Sequence, residues 1–432
     1  MNKQITIVVI ALRSILGNKR LSFGTISEGK TNMNLNNVFG RSVIVVVGVI
    51  LLAVAAALII YPPEYVYRTL FWQASDVFDW QKFPDHPLHA TPIPFLFDVK
   101  QDPRVDEVFQ QLSGATNWNS FLEANHTQAF IVIKDGTVVY ENYFNNTQRD
   151  SIVTSFSGAK SFTSALIGIA IQEGYIKSVD DSITTYLPEL AKRDPRFNEI
   201  KIRDLLLMSS GLEYKEFRPL LFNSDDILTS YYPDQRKIAL ENTQIIDPPG
   251  LHFQYNKYHP QLLGMILERA TGMPVTTYMQ TRIWDKLGME FDGSWSIDSK
   301  TSDFEKMETG VNARAIDFAK FGVLFLNGGR WQGNQVIPEA WVNESTQQLL
   351  PKNYTDYYPK WFATLPGQGY YKYMWWGMTR AEDSYDFTAY GNKGQFIYVS
   401  PQKNLVIVRN GIEYGIPTEE WLTLFYKFAS QY

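Results

Sequence analysis

The chain has 432 residues, a formal charge of −5, 45% hydrophobic and 15% aromatic residues, and no cysteine. That is apolar material for one large or two ordinary packed domains, and it excludes a disulfide framework and a thiol nucleophile. Five histidines without a His-Glu-x-x-His spacing argue against a zinc hydrolase, no Gly-x-Ser-x-Gly elbow is present, and no basic stripe points to nucleic acid as a partner.

Residues 1–41 carry six Lys/Arg against one acid, Glu28, which leaves −10 for residues 42–432. An uncharged run of 18 residues, Val43 to Ile60, follows. It is long enough to span a bilayer, and Tyr61, Tyr65, Tyr67, Phe71 and Trp72 stand after it as an interfacial aromatic belt would. The basic bias predicts a cytoplasmic segment (1–42), one transmembrane helix (43–61) and an exported remainder, periplasmic or on the cell surface. The alternative is a cleaved signal peptide; the long n-region and the lack of a cleavage site favour an uncleaved anchor. Residues 62–104, with Pro62, Pro63, Pro84, Pro87, Pro92 and Pro94 among aromatics, read as a juxtamembrane connector laid over the surface of the domain at 105–432.

Within that domain, residues 104–123 read as a short helix. Two β-rich runs, 129–134 and 137–140, flank Asp135-Gly136, a hairpin signal. A helix is expected at 158–173, a surface turn and short helix at 176–200, and a helix from Ile202 to Met208 ended by Gly211. Residues 212–248 show few periodic signals and read as a long loop or lid. Leu262–Ala270 has helical spacing stopped by Gly272, and Ala315–Leu326 is a helix closed by Gly328-Gly329. A second hairpin joins 396–400 to 405–409, and a last helix runs from about Thr418, its N-cap, to Ala429. The simplest arrangement is one antiparallel sheet that joins the two hairpins, covered by helices from both ends, with a mostly helical insertion: an α+β fold.

One stretch carries chemistry. Ser-x-x-Lys occurs at Ser27/Lys30, Ser157/Lys160 and Ser400/Lys403, and alone it is a weak motif. Only Ser157 opens an almost wholly apolar helix, which places Ser157 and Lys160 on one face of its first turn. Ser157 needs a base beside it to act as a nucleophile. Lys160 can be that base only if burial lowers its pKa, and the apolar helix supplies the burial. The helix N-terminus offers free N–H groups to an oxyanion.

Further stretches fall into one order: Leu205-Leu-Leu-Met-Ser-Ser-Gly-Leu212, Pro249-Gly-Leu-His-Phe-Gln-Tyr255, Leu287-Gly-Met289, Asp317-Phe-Ala-Lys-Phe-Gly322, Trp331-Gln-Gly333, Trp375-Trp-Gly377 and Gly391-Asn-Lys-Gly-Gln395. With Ser157-Gly-Ala-Lys160 they make residues 105–432 resemble the serine β-lactamase-related hydrolases. That group spans class C β-lactamases, family VIII esterases, D-alanyl-D-alanine peptidases and the 6-aminohexanoate-dimer hydrolase type. The resemblance implies a β-lactamase/transpeptidase-like α+β fold and no metal or organic cofactor. It implies Ser157 as the acylated nucleophile, Lys160 as its proton acceptor, and Tyr255 as base or proton shuttle. It also implies an oxyanion hole from the backbone N–H groups of Ser157 and Gln395, with Asn392, Lys393 and Gly394 on the family's Lys-Thr-Gly strand.

Two positions depart from the family pattern. Lys257 stands where Tyr-x-Asn has asparagine, and Asn392 where Lys-Thr-Gly has lysine. Lys257 is expected to supply a cation beside Tyr255, Asn392 to hydrogen-bond substrate, and Lys393 to face away along the strand. The loss of the Lys-Thr-Gly lysine favours small-molecule or peptide-like esters and linear amides over β-lactams. Tyr231, Tyr232, Trp375, Trp376 and Tyr390 are candidates to line an apolar pocket. The alternatives are a penicillin-binding-type D-alanyl peptidase or β-lactamase and, from another class, a catalytically silent cell-wall- or peptide-binding module.

Overall fold

The structure is a computed structural model that describes residues 35–217, 221–348, 363–381 and 384–432. The basic segment 1–34, with Ser27 and Lys30, lies outside the described residues. The chain divides into residues 1–57 and a compact body, residues 58–432. A helix spans Leu35–Ile60, and its apolar side chains from Val45 onward are mostly exposed. Among the described residues no helix is long and apolar enough to cross a membrane. The stretch expected to span, 43–61, is helical as far as Ile60, and the side chains of Val43 and Ile44 lie outside the described set.

The body is built on a seven-stranded antiparallel sheet. Its strands are β1 (Thr127–Lys134), β2 (Thr137–Tyr143), β3 (Gly369–Lys372), β4 (Trp375–Ala381), β5 (Ser384–Gly391), β6 (Gln395–Ser400) and β7 (Leu405–Gly411), in the order β2-β1-β7-β6-β5-β4-β3. The two hairpins expected from the sequence meet as foreseen, β1 against β7 with Ile133 opposite Val406 and Ile131 opposite Val408. The first turns on Asp135 and Gly136, both with positive φ, the backbone of a tight type I′ connection. Strands β3 to β5 were not anticipated, their aromatic sequence lacking a clean alternation.

Helices cover the sheet. We use α1 (Arg104–Ser113), α2 (Ala159–Gln172), α3 (Tyr258–Thr271), α4 (Ala315–Leu326) and α5 (Thr418–Gln431). α2 is buried along nearly its whole length, as an all-apolar helix must be. Phe162 on α2 stacks on Phe321 of α4 with ring centroids 3.7 Å apart, and α4 lies against β6 and β7, where Gly322 lets Val406 and Ile397 approach. α5 starts one residue earlier than expected: Pro417 is at the N-cap and the Thr418 hydroxyl pairs with Tyr390 instead.

Three expectations are corrected. Residues 212–248 are not a featureless loop; they hold helices Asp225–Tyr231 and Gln235–Glu241, each capped by a preceding side chain, Ser224 and Asp234. Seven-residue helices are too short for a periodic signal. The helix at 202 ends at Leu206, and Met208 takes the left-handed backbone before Gly211 does. The connector at 62–104 is not only laid over the surface. It forms a helix, Pro63–Phe71, and a strand, Asp85–Leu88, that edges a second sheet with Gly293–Ser296, Val311–Ala313 and Val153–Thr154. Tyr65, Val66, Arg68 and Leu88 of the connector are buried, so Tyr65 belongs to the core while Tyr67 and Phe71 stay exposed.

The Phe162–Phe321 stack joins the nucleophile helix to the layer on the sheet. Phe162→Ala should cost about 3–5 kcal/mol, read as a loss of unfolding free energy in a urea titration.

Candidate active site

Ser157 lies in a single turn, Phe156–Gly158, that runs into α2. The short strand Val153–Thr154 pairs with Val311–Ala313, and Ser155 N–H donates to Val311 C=O at 2.8 Å. The turn is thereby fixed beside the segment 308–311. Phe156 has φ +42°, a left-handed backbone that costs a bulky residue about 1–3 kcal/mol and persists only under constraint from its surroundings. The constraint is visible at the end of β5: a Cβ added to Gly391 would sit 2.1 Å from Ser155 O and 3.0 Å from Phe156 Cβ. Glycine at 391 is what lets the strand touch the nucleophile turn.

Lys160 Nζ lies 2.9 Å from Ser157 Oγ and donates to the Glu308 carbonyl at 2.7 Å. The residue is 1% exposed. Burial brings its ammonium down from 10.5 to about 7; the Glu308 carboxylate resists that fall and the Lys257 cation adds to it. Near neutral pH Lys160 therefore has a large unprotonated fraction that can accept the Ser157 proton.

Tyr255 completes the group. It follows the Pro-Gly turn at 249–250 and precedes α3. Ser157 lies close enough to ease ionisation of the Tyr255 phenol, and Lys160 Nζ stands 5.0 Å from the ring centroid. The ring stacks on Trp376 at 5.7 Å and meets Tyr371 edge-on at 6.1 Å. Burial pushes the phenol further above its usual range, so the neutral phenol is the working form. Tyr255, nearly a hundred residues from Ser157 and Lys160 in sequence, is thus brought beside both.

The supporting residues sit otherwise than expected. Lys257 does not turn to the Tyr255 hydroxyl: its Nζ pairs with Asp226 Oδ1 at 2.6 Å and reaches Ser230 Oγ at 3.1 Å, both on the helix Asp225–Tyr231. Asn392, Lys393 and Gly394 are not on a strand; they make the turn between β5 and β6, with Lys393 at φ +62° and Gly394 at φ +74°. Lys393 does face away, pairing with Glu413 at 2.6 Å. Asn392 Oδ1 accepts from the Tyr414 hydroxyl and from Lys393 N–H. Gln395 opens β6, and its buried side chain bonds Gly411 C=O at 2.7 Å and Asn410 Nδ2 at 3.0 Å, which locks the turn.

Trp375 is a correction. It is fully buried among Phe321, Phe325 and Phe387. Neighbouring residues of a strand face opposite sides, so Trp376 is the one beside Tyr255. Tyr231 and Tyr232 also leave the pocket, packing on Trp72 and Tyr65 of the connector. Glu308, Asp226 and Tyr414 were missed. Nothing local marks them, since charged residues are mostly exposed and only the fold brings Glu308 behind Lys160.

A family model described as Beta-lactamase matches residues 121–409. The chain belongs to the β-lactamase family. It is a β-lactamase-related serine hydrolase in fold and kinship. A 6-aminohexanoate-dimer hydrolase from Paenarthrobacter ureafaciens is 24% identical over 307 residues, covering 67% of this chain and 73% of that protein. Protein flp of Staphylococcus aureus is 25% identical over 203 residues, but the match spans only 39% of its length. Among solved structures, a Bacillus anthracis protein assigned to the 6-aminohexanoate-dimer hydrolases superposes with a TM-score of 0.67 at 25% identity, over 80% of this chain and 89% of that one. A class C β-lactamase superposes with a TM-score of 0.55 at 16% identity, covering 76% of this chain and 96% of its own, a likeness of fold.

The close approach at Gly391 is testable. Gly391→Ala should separate β5 from the nucleophile turn, destabilise the body by about 1–3 kcal/mol, and slow fluorophosphonate labelling of Ser157 by about 100-fold, a response typical of ångström-scale misplacement. Wild-type labelling rates in a folded variant would contradict this.

Proposed function

We propose that this chain is a membrane-anchored serine hydrolase that cleaves an ester or linear amide through an acyl-enzyme on Ser157. The observation that carries the reading is the Ser157–Lys160 contact with a lysine buried enough to titrate near 7. The neutral Lys160 amine takes the Ser157 proton as Oγ attacks the substrate carbonyl. The oxyanion so formed is held by the backbone N–H groups of Ser157 and Gln395. Lys160, now protonated, passes its proton through the Tyr255 phenol to the leaving alkoxide or amine as the carbonyl–heteroatom bond breaks. Lys160 is then neutral again and takes a proton from the water that opens the acyl-enzyme, and Ser157 recovers its own. In this sequence Tyr255 relays a proton as a neutral acid, with no stable phenolate, which agrees with its burial.

Relatives named as 6-aminohexanoate-dimer hydrolases favour an amide among the substrates. The neutral Asn392 where relatives place a lysine, and the aromatic wall of Tyr371 and Trp376, favour acyl groups recognised by shape. The uncharged run at 43–60, helical and with exposed apolar side chains, supports attachment to a membrane, and the basic residues ahead of it support a hydrolase body outside the cytoplasm.

The test is turnover of p-nitrophenyl butyrate and nitrocefin by the full chain and by Ser157→Ala. Ester hydrolysis should occur, should vanish in Ser157→Ala, and should exceed nitrocefin hydrolysis. Because the base is the unprotonated lysine, kcat/KM should fall as pH drops through about 7, the pH at which Lys160 takes up its proton. Labelling by penicillin with no ester turnover would favour the peptidase. An absence of turnover and of fluorophosphonate labelling would favour a silent binding module.

A further inference from the structure

The helix Pro63–Phe71 lies ahead of the region matched by the family, residues 121–409, yet it reaches into the active-site wall. Arg68 is 2% exposed. Its Nη1 donates to the carbonyls of Asp298 at 2.7 Å and Tyr231 at 3.2 Å, and Glu64 pairs with its Nη2. Tyr65 adds a hydrogen bond from its hydroxyl to Phe222 C=O at 2.9 Å. The connector thus grips the helix Asp225–Tyr231 at its C-terminal end and just ahead of its N-terminus.

That helix holds two lysines. Ser230 Oγ accepts from Lys257 Nζ at 3.1 Å, and Ser230 C=O accepts from Lys306 Nζ at 2.8 Å. Lys306 also pairs with Glu308 Oε1 at 2.9 Å, and the Glu308 carbonyl is the one that Lys160 bonds. The connector touches this row a second time, since Lys306 Nζ lies 4.5 Å from the centroid of Phe83, whose ring also carries the Arg68 guanidinium at 5.0 Å. We infer that Arg68 is a positioning residue of the active site: by fixing the end of the helix Asp225–Tyr231 it sets Ser230, and through Ser230 the lysines Lys257 and Lys306 behind Lys160. This deepens the function proposed above and rests on it for its meaning in catalysis.

The charged and titratable groups around Lys160 define the expected effect. They are Glu308 and Lys306 from the segment 305–310, Lys257 from the start of α3, Asp226 from the gripped helix, and Tyr255. On Lys160 the Lys257 cation, which lowers its pKa, outweighs the Asp226 carboxylate, which raises it. If the helix loosens, both draw back and Lys160 becomes easier to protonate.

The experiment follows the Lys160 Nζ resonance in 15N-lysine-labelled protein across pH, assigned with Lys160→Arg, alongside the pH profile of p-nitrophenyl butyrate hydrolysis. In Arg68→Met the Lys160 titration and the acid limb of kcat/KM should both move up by about half a pH unit or more. Arg68→Lys, which keeps one donor, should restore part of the shift, and adding Lys257→Met to Arg68→Met should move it no further. A shift that adds in the double variant, or an unmoved titration in folded Arg68→Met, overturns the inference. If Arg68→Met does not fold, Tyr65→Phe, which removes one hydroxyl, should give a smaller shift of the same sign, and none would overturn it. The expected shift in Arg68→Met, found while the wild type neither labels nor hydrolyses, would defeat the proposed function and leave the positioning role standing.

Discussion

The placement of the Lys160 amine, buried and within 2.9 Å of Ser157 Oγ, is the constraint on which the rest of the architecture depends. An ammonium does not enter a protein interior without a partner or a shift toward its neutral form. Here both occur: the Glu308 carbonyl accepts a hydrogen bond, and burial brings the group near neutrality. The burial demands cover on every side of α2. The sequence answers with a helix that has almost no polar face, α3 and α4 packed around it, and the Phe162–Phe321 stack that joins it to the layer above the sheet.

The sheet then does for Ser157 what α2 does for Lys160. Its two halves come from opposite ends of the domain, and β1 against β7 closes them into one rigid surface. The β5–β6 turn is carried at the edge of that surface facing the nucleophile. Arg409 on β7, buried and stacked over Trp421, donates to Gly394 C=O at 2.7 Å, and Gln395 ties the same turn to Gly411. Burial lowers the Arg409 guanidinium to about 9, still charged at neutral pH, so the bond to Gly394 remains charge-assisted. Two backbone segments that must sit within van der Waals distance, 155–157 and 391–395, are each held from behind by buried groups.

What could be read from the sequence divides along the range of the interaction. α2, α4 and the two hairpins were legible because each carries its own signal: an apolar run, a stop at glycine, a positive-φ turn. Ser157 and Lys160 were legible because one helical turn fixes their relation. The four-stranded sheet was not, since its strands are two to four residues long and exist only through pairing with one another. Trp375 and Trp376 could not be told apart, because the strand register decides which faces the site. Lys257 was placed beside Tyr255 because it stands at the third position of the family's Tyr-x-Asn pattern, while its partner is Asp226, which no local pattern brings near.

The same pairing bears on what the pocket can select. Three lysines of the body are matched with carboxylates: Lys257 with Asp226, Lys393 with Glu413, Lys372 with Glu344 at 3.3 Å. Each acid is about half exposed, so these pairs are individually weak, but a substrate carboxylate would have to compete with an anion already in place. An apolar acyl chain meets no such competition, and the Trp376 ring lies stacked beside Tyr255. Under the proposed function, selectivity for uncharged acyl groups would follow from Asn392 standing where the family's Lys-Thr-Gly pattern has a lysine, and a lysine at 392 would be the smallest change able to reverse it.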